Sequence, residues 1–263
     1  MILDDIAIST RKRVDKDIAK ISLAQMKELA LSSPDTDFAF KKALQKNGIS
    51  LICEVKKASP SKGVIAEDFP YIDIAREYET AGADCISVLT EPEWFLGSDD
   101  IFREIRKNVS LPMLRKDFTI DEYQIYQAKA MGADAVLLIC ALLDTDTLKR
   151  YLDICNSLKL SALVETHDEN EIESAIAAGA EIIGVNNRNL HNFSEDISNT
   201  GKLRKLIPDN VIFVSESGIK TQEDALTLVK EGADALLIGE ALMRSKDKGD
   251  FINEIKNMRP VTT

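Results

Sequence analysis

Histidine is nearly missing from this 263-residue chain. His167 and His191 are the two it has, and neither sits in a metal-ligand spacing, so no metal centre is expected. Cysteine is scarce too. Cys53, Cys85, Cys140 and Cys155 form no C-x-x-C, and the first three lie in apolar runs. All four read as buried, reduced thiols of a cytoplasmic protein. Positive charge is short: 33 Lys and Arg stand against 44 Asp and Glu, a net charge of −11. That argues against nucleic acid or an anionic membrane as a partner, since both demand a basic surface. A small anionic substrate needs only a local positive site. No apolar run approaches the ~20 residues of a membrane span. The opening MILDDIAISTRKRVDKD is too charged for a secretory signal. The glycosylation patterns at Asn108 and Asn192 are therefore read as chance.

What is present is periodic. AGADCISVLT from 81, MGADAVLLIC from 131, AGAEIIGVNN from 178 and EGADALLIGE from 231 repeat one phrase, with glycines spaced by 50, 47 and 53 residues. In each, a helix ends at Gly, the residue that best tolerates a left-handed cap. A polar residue follows, then an apolar run fit for a parallel strand buried on both faces. Between the phrases lie LICEVK at 51, LPMLRKDF at 111, LSALVET at 160 and NVIFVSES at 210, and helical patterns fill the gaps. The count is eight strands, each followed by a helix. The repeat is two βα units long and the expected fold is a single (β/α)8 TIM barrel over 47–263. An open doubly wound sheet would carry a G-x-G-x-x-G after the first strand, where this chain has KKASPSKG. Residues 1–46 precede the barrel as an N-terminal helical extension.

Polar residues collect where these strands stop: Glu54 and Lys56, then Arg115, Lys116 and Asp117, then Glu165, then Asn186, Asn187 and Arg188, then Glu216, Ser217 and Gly218, then Gly239 and Glu240. Barrel enzymes put their active sites at these C-terminal ends. Residues two apart on a strand share a face. Ile52, Glu54 and Lys56 therefore align, as do Leu114, Lys116 and Phe118, Leu163 and Glu165, and Gly184, Asn186 and Arg188. If those faces point inward, one wet mouth gathers two lysines, an arginine, three carboxylates and an asparagine. Any one of these charges alone would be an ordinary rim residue. Five strand ends with one facing point to a ligand cavity. The glycines after the seventh and eighth strands, with GEALM opening a short helix, fit a phosphate site.

The phrases IxEVKKASPSKG, VLTEPxWFxGS, PMLRKDF, ADAVLLI, ALVETHDE, IGVNNRNL, VSESGI and LIGEALM, in this order, resemble the indole-3-glycerol phosphate synthases of tryptophan biosynthesis along essentially the whole chain. The resemblance implies a phosphorylated small-molecule substrate, 1-(2-carboxyphenylamino)-1-deoxyribulose 5-phosphate, with indole-3-glycerol phosphate, carbon dioxide and water as products and no cofactor. It implies Lys116 as general acid, Glu165 as general base, Lys56 as the lysine on the substrate carboxylate and Glu54 as the carboxylate that steers these lysines. Asn186, Arg188, Glu216 and Ser217 match other substrate positions. Gly218 and Gly239 match the phosphate site, and Ser59 the mobile loop after strand one. Phe95, Phe118 and Leu137 match the apolar walls for the aromatic ring. Glu240 stands where some members have serine, so only its backbone is expected at the phosphate. No obligate partner is implied, and a monomer is expected.

The chemistry agrees with the residue list. Ring closure sends an aromatic carbon onto a ketone carbon, whose oxygen gains negative charge and wants a cationic acid beside it. Closure makes an iminium that accepts the electrons of decarboxylation, so neither pyridoxal phosphate nor a metal is required. Lys56 should push the pKa of Lys116 down while Glu54 opposes it. A Schiff-base lyase or aldolase using Lys116 or Lys56, a sugar-phosphate isomerase and a phosphate-ligand binding protein without turnover are the alternatives. Finally, Ile18, Ile21, Met26 and Leu29 form an apolar stripe in the extension. It is expected to cover the mouth, where an aromatic substrate needs a dry wall.

Overall fold

The computed structural model describes residues 2–46, 48–189 and 193–257. Eight parallel strands close into a barrel: β1 Ser50–Val55, β2 Cys85–Leu89, β3 Met113–Lys116, β4 Ala135–Ile139, β5 Ser161–Thr166, β6 Ile182–Asn186, β7 Ile212–Glu216 and β8 Ala235–Ile238. They neighbour one another in chain order, and β8 pairs with β1 to complete the ring. Helices follow each strand, as the periodicity predicts. They include α4 Tyr71–Thr80, α5 Asp99–Arg106, α6 Glu122–Ala130, α7 Thr145–Ser157, α8 Glu169–Ala178, α9 Ser198–Arg204 and α10 Gln222–Lys230, with α11 Glu240–Arg244 and α12 Lys248–Lys256 both after β8. The four repeat glycines hold φ between 85° and 91°. Aspartates follow three of them, where the phrase from 178 has Glu181, and tie the barrel floor. Asp84, Asp134 and Asp234 each accept, at 2.8 Å, the backbone N–H of Leu51, Met113 or Phe213, at or beside the start of a neighbouring strand.

Strand parity splits the core in two. Ile52, Leu114, Leu137, Leu163, Ile182, Val214 and Leu237 pack inside the barrel. Leu51, Cys53, Val55, Val88, Met113, Val136, Val164, Ile183 and Phe213 pack outward beneath the helices. All four cysteines are buried and free. No described helix is long and apolar enough to cross a membrane.

Before β1 come three helices, α1 Ile2–Lys20, α2 Leu23–Ser32 and α3 Ala39–Leu44. They divide their labour among three surfaces, which corrects the expectation of one stripe on the mouth. Ser22 caps α2 by a reciprocal exchange with Gln25 and breaks the helix there. Val14 and Met26, with Ile18 beside them, then pack on Tyr123 of α6, outside the barrel. Ile21 and Leu29 are left 37% and 46% exposed. Phe40, Ala43 and Leu44 of α3 join the interior cluster from the floor. The mouth receives the start of α1: Ile2, Leu3 and Ile6.

Candidate active site

The inward faces of the strands do end in charge. Glu54 Oε1 lies 2.7 Å from Lys56 Nζ. Lys116 Nζ sits between two carboxylates, 3.3 Å from Glu165 Oε2 and 3.2 Å from Glu216 Oε2. Register brings them together: Ile139 on β4 pairs with Glu165, Glu165 with Gly184 on β6, and Asn186 with Glu216. Above them opens a cavity of about 590 Å³, lined by Glu54, Lys56, Lys116, Glu165, Asn186 and Glu216 at its base. These strand ends thus share one charged mouth.

One wall is apolar. The rings of Phe95 and Phe118 lie 6.0 Å apart, tilted by 43°. Leu89, Leu137, Ile139 and Leu237, with Leu3 and Ile6 from α1, continue that wall. Phe95 is held from below by a residue that pattern reading missed. The Glu91 carboxylate accepts the backbone N–H groups of Glu93, Trp94 and Phe95 at 2.7–3.0 Å. The signal was local: a buried glutamate just past a strand end, followed by a turn with unpaired donors.

The opposite end is cationic. Lys62, Arg188, Lys220 and Arg244 interleave with Glu195 and Glu240 around the openings of Ser217, Gly218 and Gly239. Arg188 meets Glu195 at 2.6 Å, Lys220 meets Glu195 at 3.0 Å and Arg244 meets Glu240 at 3.0 Å. Four cations against two carboxylates leave a local positive excess in an acidic chain. Glu240 turns its side chain toward Arg244 and, at 3.7 Å, toward Lys62. Gly239 has no room for a side chain: a Cβ there would stand 2.3 Å from Glu54 Oε1 and 2.9 Å from Lys56 Nζ. Ser217 and Gly218 both take positive φ, 64° and 80°. Asn187 holds that turn, donating from Nδ2 to Ser215 Oγ at 3.0 Å and to the Ser217 carbonyl at 3.3 Å. Ser59 behaves differently from the other expected site residues. It is buried on the first strand of a small hairpin, Ala58–Ser59 with Gly63–Val64, with its hydroxyl 3.5 Å from that of Ser61, and Pro60 and Lys62 line the cavity in its place. Ser61 accepts from Arg188 at 2.8 Å, so the loop is strapped across the mouth.

Charges this close shift one another's proton affinity. Burial pushes the Lys116 ammonium toward neutrality, but Glu216, Glu165 and Glu54 outweigh it and hold the lysine above its ordinary value. The carboxylates thus win the contest that Lys56 and Glu54 set up in the sequence. Burial pushes Glu216 up, Lys116 opposes and Glu165 adds repulsion, leaving Glu216 at about 7. Glu165 meets the same burial but is pulled below the ordinary range by Lys116, His167 and a hydrogen bond from Asn186. Glu54 is likewise buried and held low, by Lys56, Lys116 and Arg188. Glu216 Oε1 is buried with no hydrogen-bond partner. Gly184 makes room for it, since a Cβ there would stand 2.1 Å away. No group of His, Cys, Asp and Glu among the described residues forms a metal site, and His191 lies outside them.

A second charged cluster lies one residue along the chain. Asp117 receives Arg13 of α1 through two hydrogen bonds of 2.8 and 2.7 Å, the Thr90 hydroxyl at 2.6 Å and the Phe118 N–H at 2.8 Å. Arg115 bridges from Asp117 at 3.4 Å to Asp99 at 2.9 Å. Asp117 is buried, but Arg13 and Arg115 hold its carboxyl down at about 2.

A family model described as indole-3-glycerol phosphate synthase matches residues 3–255. An indole-3-glycerol phosphate synthase of Ruminiclostridium cellulolyticum is 59% identical over 260 residues, covering 97% of this chain and 99% of its own. One from Endomicrobium trichonymphae is 54% identical over 258 residues, covering 98% and 100%. Among solved structures, the thiamine phosphate pyrophosphorylase of Pyrococcus furiosus superposes with a TM-score of 0.59 at 15% identity, over 79% of this chain and 93% of that one. At that identity the likeness speaks to the barrel alone.

Proposed function

The chain belongs to the indole-3-glycerol phosphate synthase family, and we propose how its mouth divides the work of ring closure, decarboxylation and dehydration of 1-(2-carboxyphenylamino)-1-deoxyribulose 5-phosphate. The substrate's anthranilate ring lies on Phe95, Phe118 and Leu137, and its phosphate lies at the cationic end near Gly218 and Gly239. Lys56, steered by Glu54, takes the ring carboxylate. Lys116 faces the ketone. As the ring carbon attacks the ketone carbon, the carbonyl electron pair moves to oxygen and Lys116 gives that oxygen a proton. The ring nitrogen becomes an iminium and accepts the electrons released when carbon dioxide leaves. Glu165 then takes a proton from the carbon next to the one bearing the new hydroxyl, and the hydroxyl leaves as water with a proton from the restored Lys116 ammonium. Glu216, 3.2 Å from Lys116 and titrating near neutrality, is the nearest donor to restore the lysine.

The observation that carries this reading is the Lys116 ammonium clasped by carboxylates at 3.2 and 3.3 Å under an apolar wall. The same observation disfavours a Schiff-base lyase, whose lysine must be neutral to attack. Fluorescence of the indole product from the synthetic substrate is the test. Wild-type enzyme should turn over, Lys116→Ala should lose 10²–10⁴-fold in kcat, the usual range for one acid/base group, and borohydride should trap no adduct. A Lys116→Ala variant within about threefold of wild type, or a trapped adduct, contradicts the assignment. The reading also has the protein work in the cytoplasm as a monomer on a phosphorylated small molecule, which its reduced thiols and self-contained mouth support.

A further inference from the structure

Behind Glu165, out of the cavity, lies an imidazole that none of these roles uses. His167 follows β5 by one residue, and α8 begins two residues later. Its Nδ1 stands 3.1 Å from Glu171 Oε2, and its backbone N–H donates to the same oxygen at 2.7 Å. Glu171 is fixed in turn, because its own N–H donates to the Asp168 carboxylate that caps α8, at 2.9 Å. Asn199 of α9 donates to the His167 carbonyl at 3.3 Å. The ring is therefore held from one side with Nδ1 against a carboxylate, which fixes the proton there. Its other nitrogen, Nε2, is buried without a hydrogen-bond partner and points at Glu165 Oε1 from 3.5 Å.

A neutral ring with its proton on Nδ1 aims a lone pair from Nε2 at an ionised carboxylate. Both groups are acceptors in that state, and Nε2 is buried from solvent. One added proton resolves the conflict by lying on Nε2 or on Glu165. We infer that His167 is a positioning residue for Glu165: tethered by Glu171, it shares one proton with that carboxylate and, as imidazolium, keeps Glu165 ionised and facing the cavity. The inference rests on Glu165 being the base of the proposed reaction.

The surroundings favour the proton on the ring. Burial opposes an imidazolium, but the hydrogen bond to Glu171 and the charges of Glu165, Glu171 and Glu216 raise the affinity of His167 above the ordinary histidine value. Lys116 lies beyond Glu165, with its ammonium on the other oxygen, Oε2. The Cys140 thiol, after β4, is pushed up to about 12 by burial and by Glu171 and Glu165, so it stays neutral. Asp168 is occupied by the helix cap. No other charged side chain from the packed elements contacts the ring among the described residues.

The chain has two histidines, so ¹⁵N-imidazole spectra of the ligand-free protein contain two ring systems, and His191→Gln assigns them. His167 should titrate above the ordinary value of about 6.5. Glu165→Gln should lower that midpoint by about one pH unit, the usual effect of losing a nearby opposite charge. In turnover, His167→Gln should raise the acid-side midpoint of kcat by about the same amount, with KM and melting temperature near wild type, and Glu171→Gln should raise it less. An unmoved His167 titration in Glu165→Gln overturns the inference, and that arm stands even if His167→Gln folds poorly. A moved titration with an unmoved kcat profile upholds the shared proton and overturns Glu165 as the base.

Discussion

Lys116 and Asp117 are neighbours in the chain and both are buried charges, yet their clusters are built to opposite ends. Asp117 has all it can accept: two hydrogen bonds from Arg13, one from Thr90 and one from its neighbour's N–H. Lys116, pointing the other way off the same strand, is surrounded by groups that do not satisfy one another. Glu216 Oε1 and His167 Nε2 are buried without partners, and Glu216 is driven to about 7. A buried ion cluster that only holds the fold together settles each lone pair, since an unpaired buried charge costs several kcal/mol. A cluster that leaves a buried carboxylate unpaired and near neutrality beside a cavity marks a candidate for chemistry. Across one peptide bond, one cluster ties α1 to the barrel and the other faces the cavity.

Four substitutions or conditions can break that contrast. The largest effect is expected from Glu165→Gln, which keeps the shape and removes the base of the proposed reaction. Steady-state kinetics should find kcat down by 10²–10⁴ with KM little changed. Arg13→Ala strikes the other cluster. It strips Asp117 of its bidentate partner and should remove about 3 kcal/mol from the free energy of urea unfolding. It also loosens α1, whose Leu3 and Ile6 wall the mouth, so KM should rise. Acid comes next. Asp117 at about 2 in the folded protein and about 3.9 unfolded is a depressed carboxylate. Its contribution is therefore present above about pH 4 and fades as the pH falls toward 2. Linkage makes it about 2–3 kcal/mol, read as the shrinking stability gap between wild type and Asp117→Asn on acidification. The smallest effect belongs to Gly239→Asp, which puts a charge at the proposed phosphate site and crowds Glu54 and Lys56. Calorimetry should find inorganic phosphate bound about tenfold more weakly, some 1.4 kcal/mol, and kcat should fall with the disturbed pair.

What could be read from the sequence was whatever is periodic or local. The glycine phrases gave the strand count, and parity turned Glu54, Lys116, Glu165 and Asn186 inward, because a strand has no third face to offer. The floor plug of Phe40 and the clasp of Arg13 on Asp117 join residues that are 104 or more positions apart or meet only through the closed barrel, and no spacing rule reaches that far. The stripe from Ile18 to Leu29 misled because it crosses a helix break. Ser22 and Gln25, three apart, are a capping box written in the sequence. They split one apparent face into two. Likewise His167 and Glu171, four apart at the head of α8, were visible as a pair, but their relation to Glu165 depends on how the chain turns after β5. Ser59 matched a motif position, yet the hairpin it belongs to sends Pro60 and Lys62 to the cavity instead.

The most direct test sets Lys116→Met beside Asp117→Asn, measuring kcat and the free energy of urea unfolding for each at neutral pH. Lys116→Met should lose at least 100-fold in kcat while its unfolding free energy stays within about 1 kcal/mol of wild type, because Glu216 takes up a proton readily once the ammonium is gone. Asp117→Asn should do the reverse, losing about 3 kcal/mol of stability while keeping kcat within about tenfold. Equal losses of stability in the two variants, or a larger fall of kcat in Asp117→Asn, would contradict the division of the two clusters.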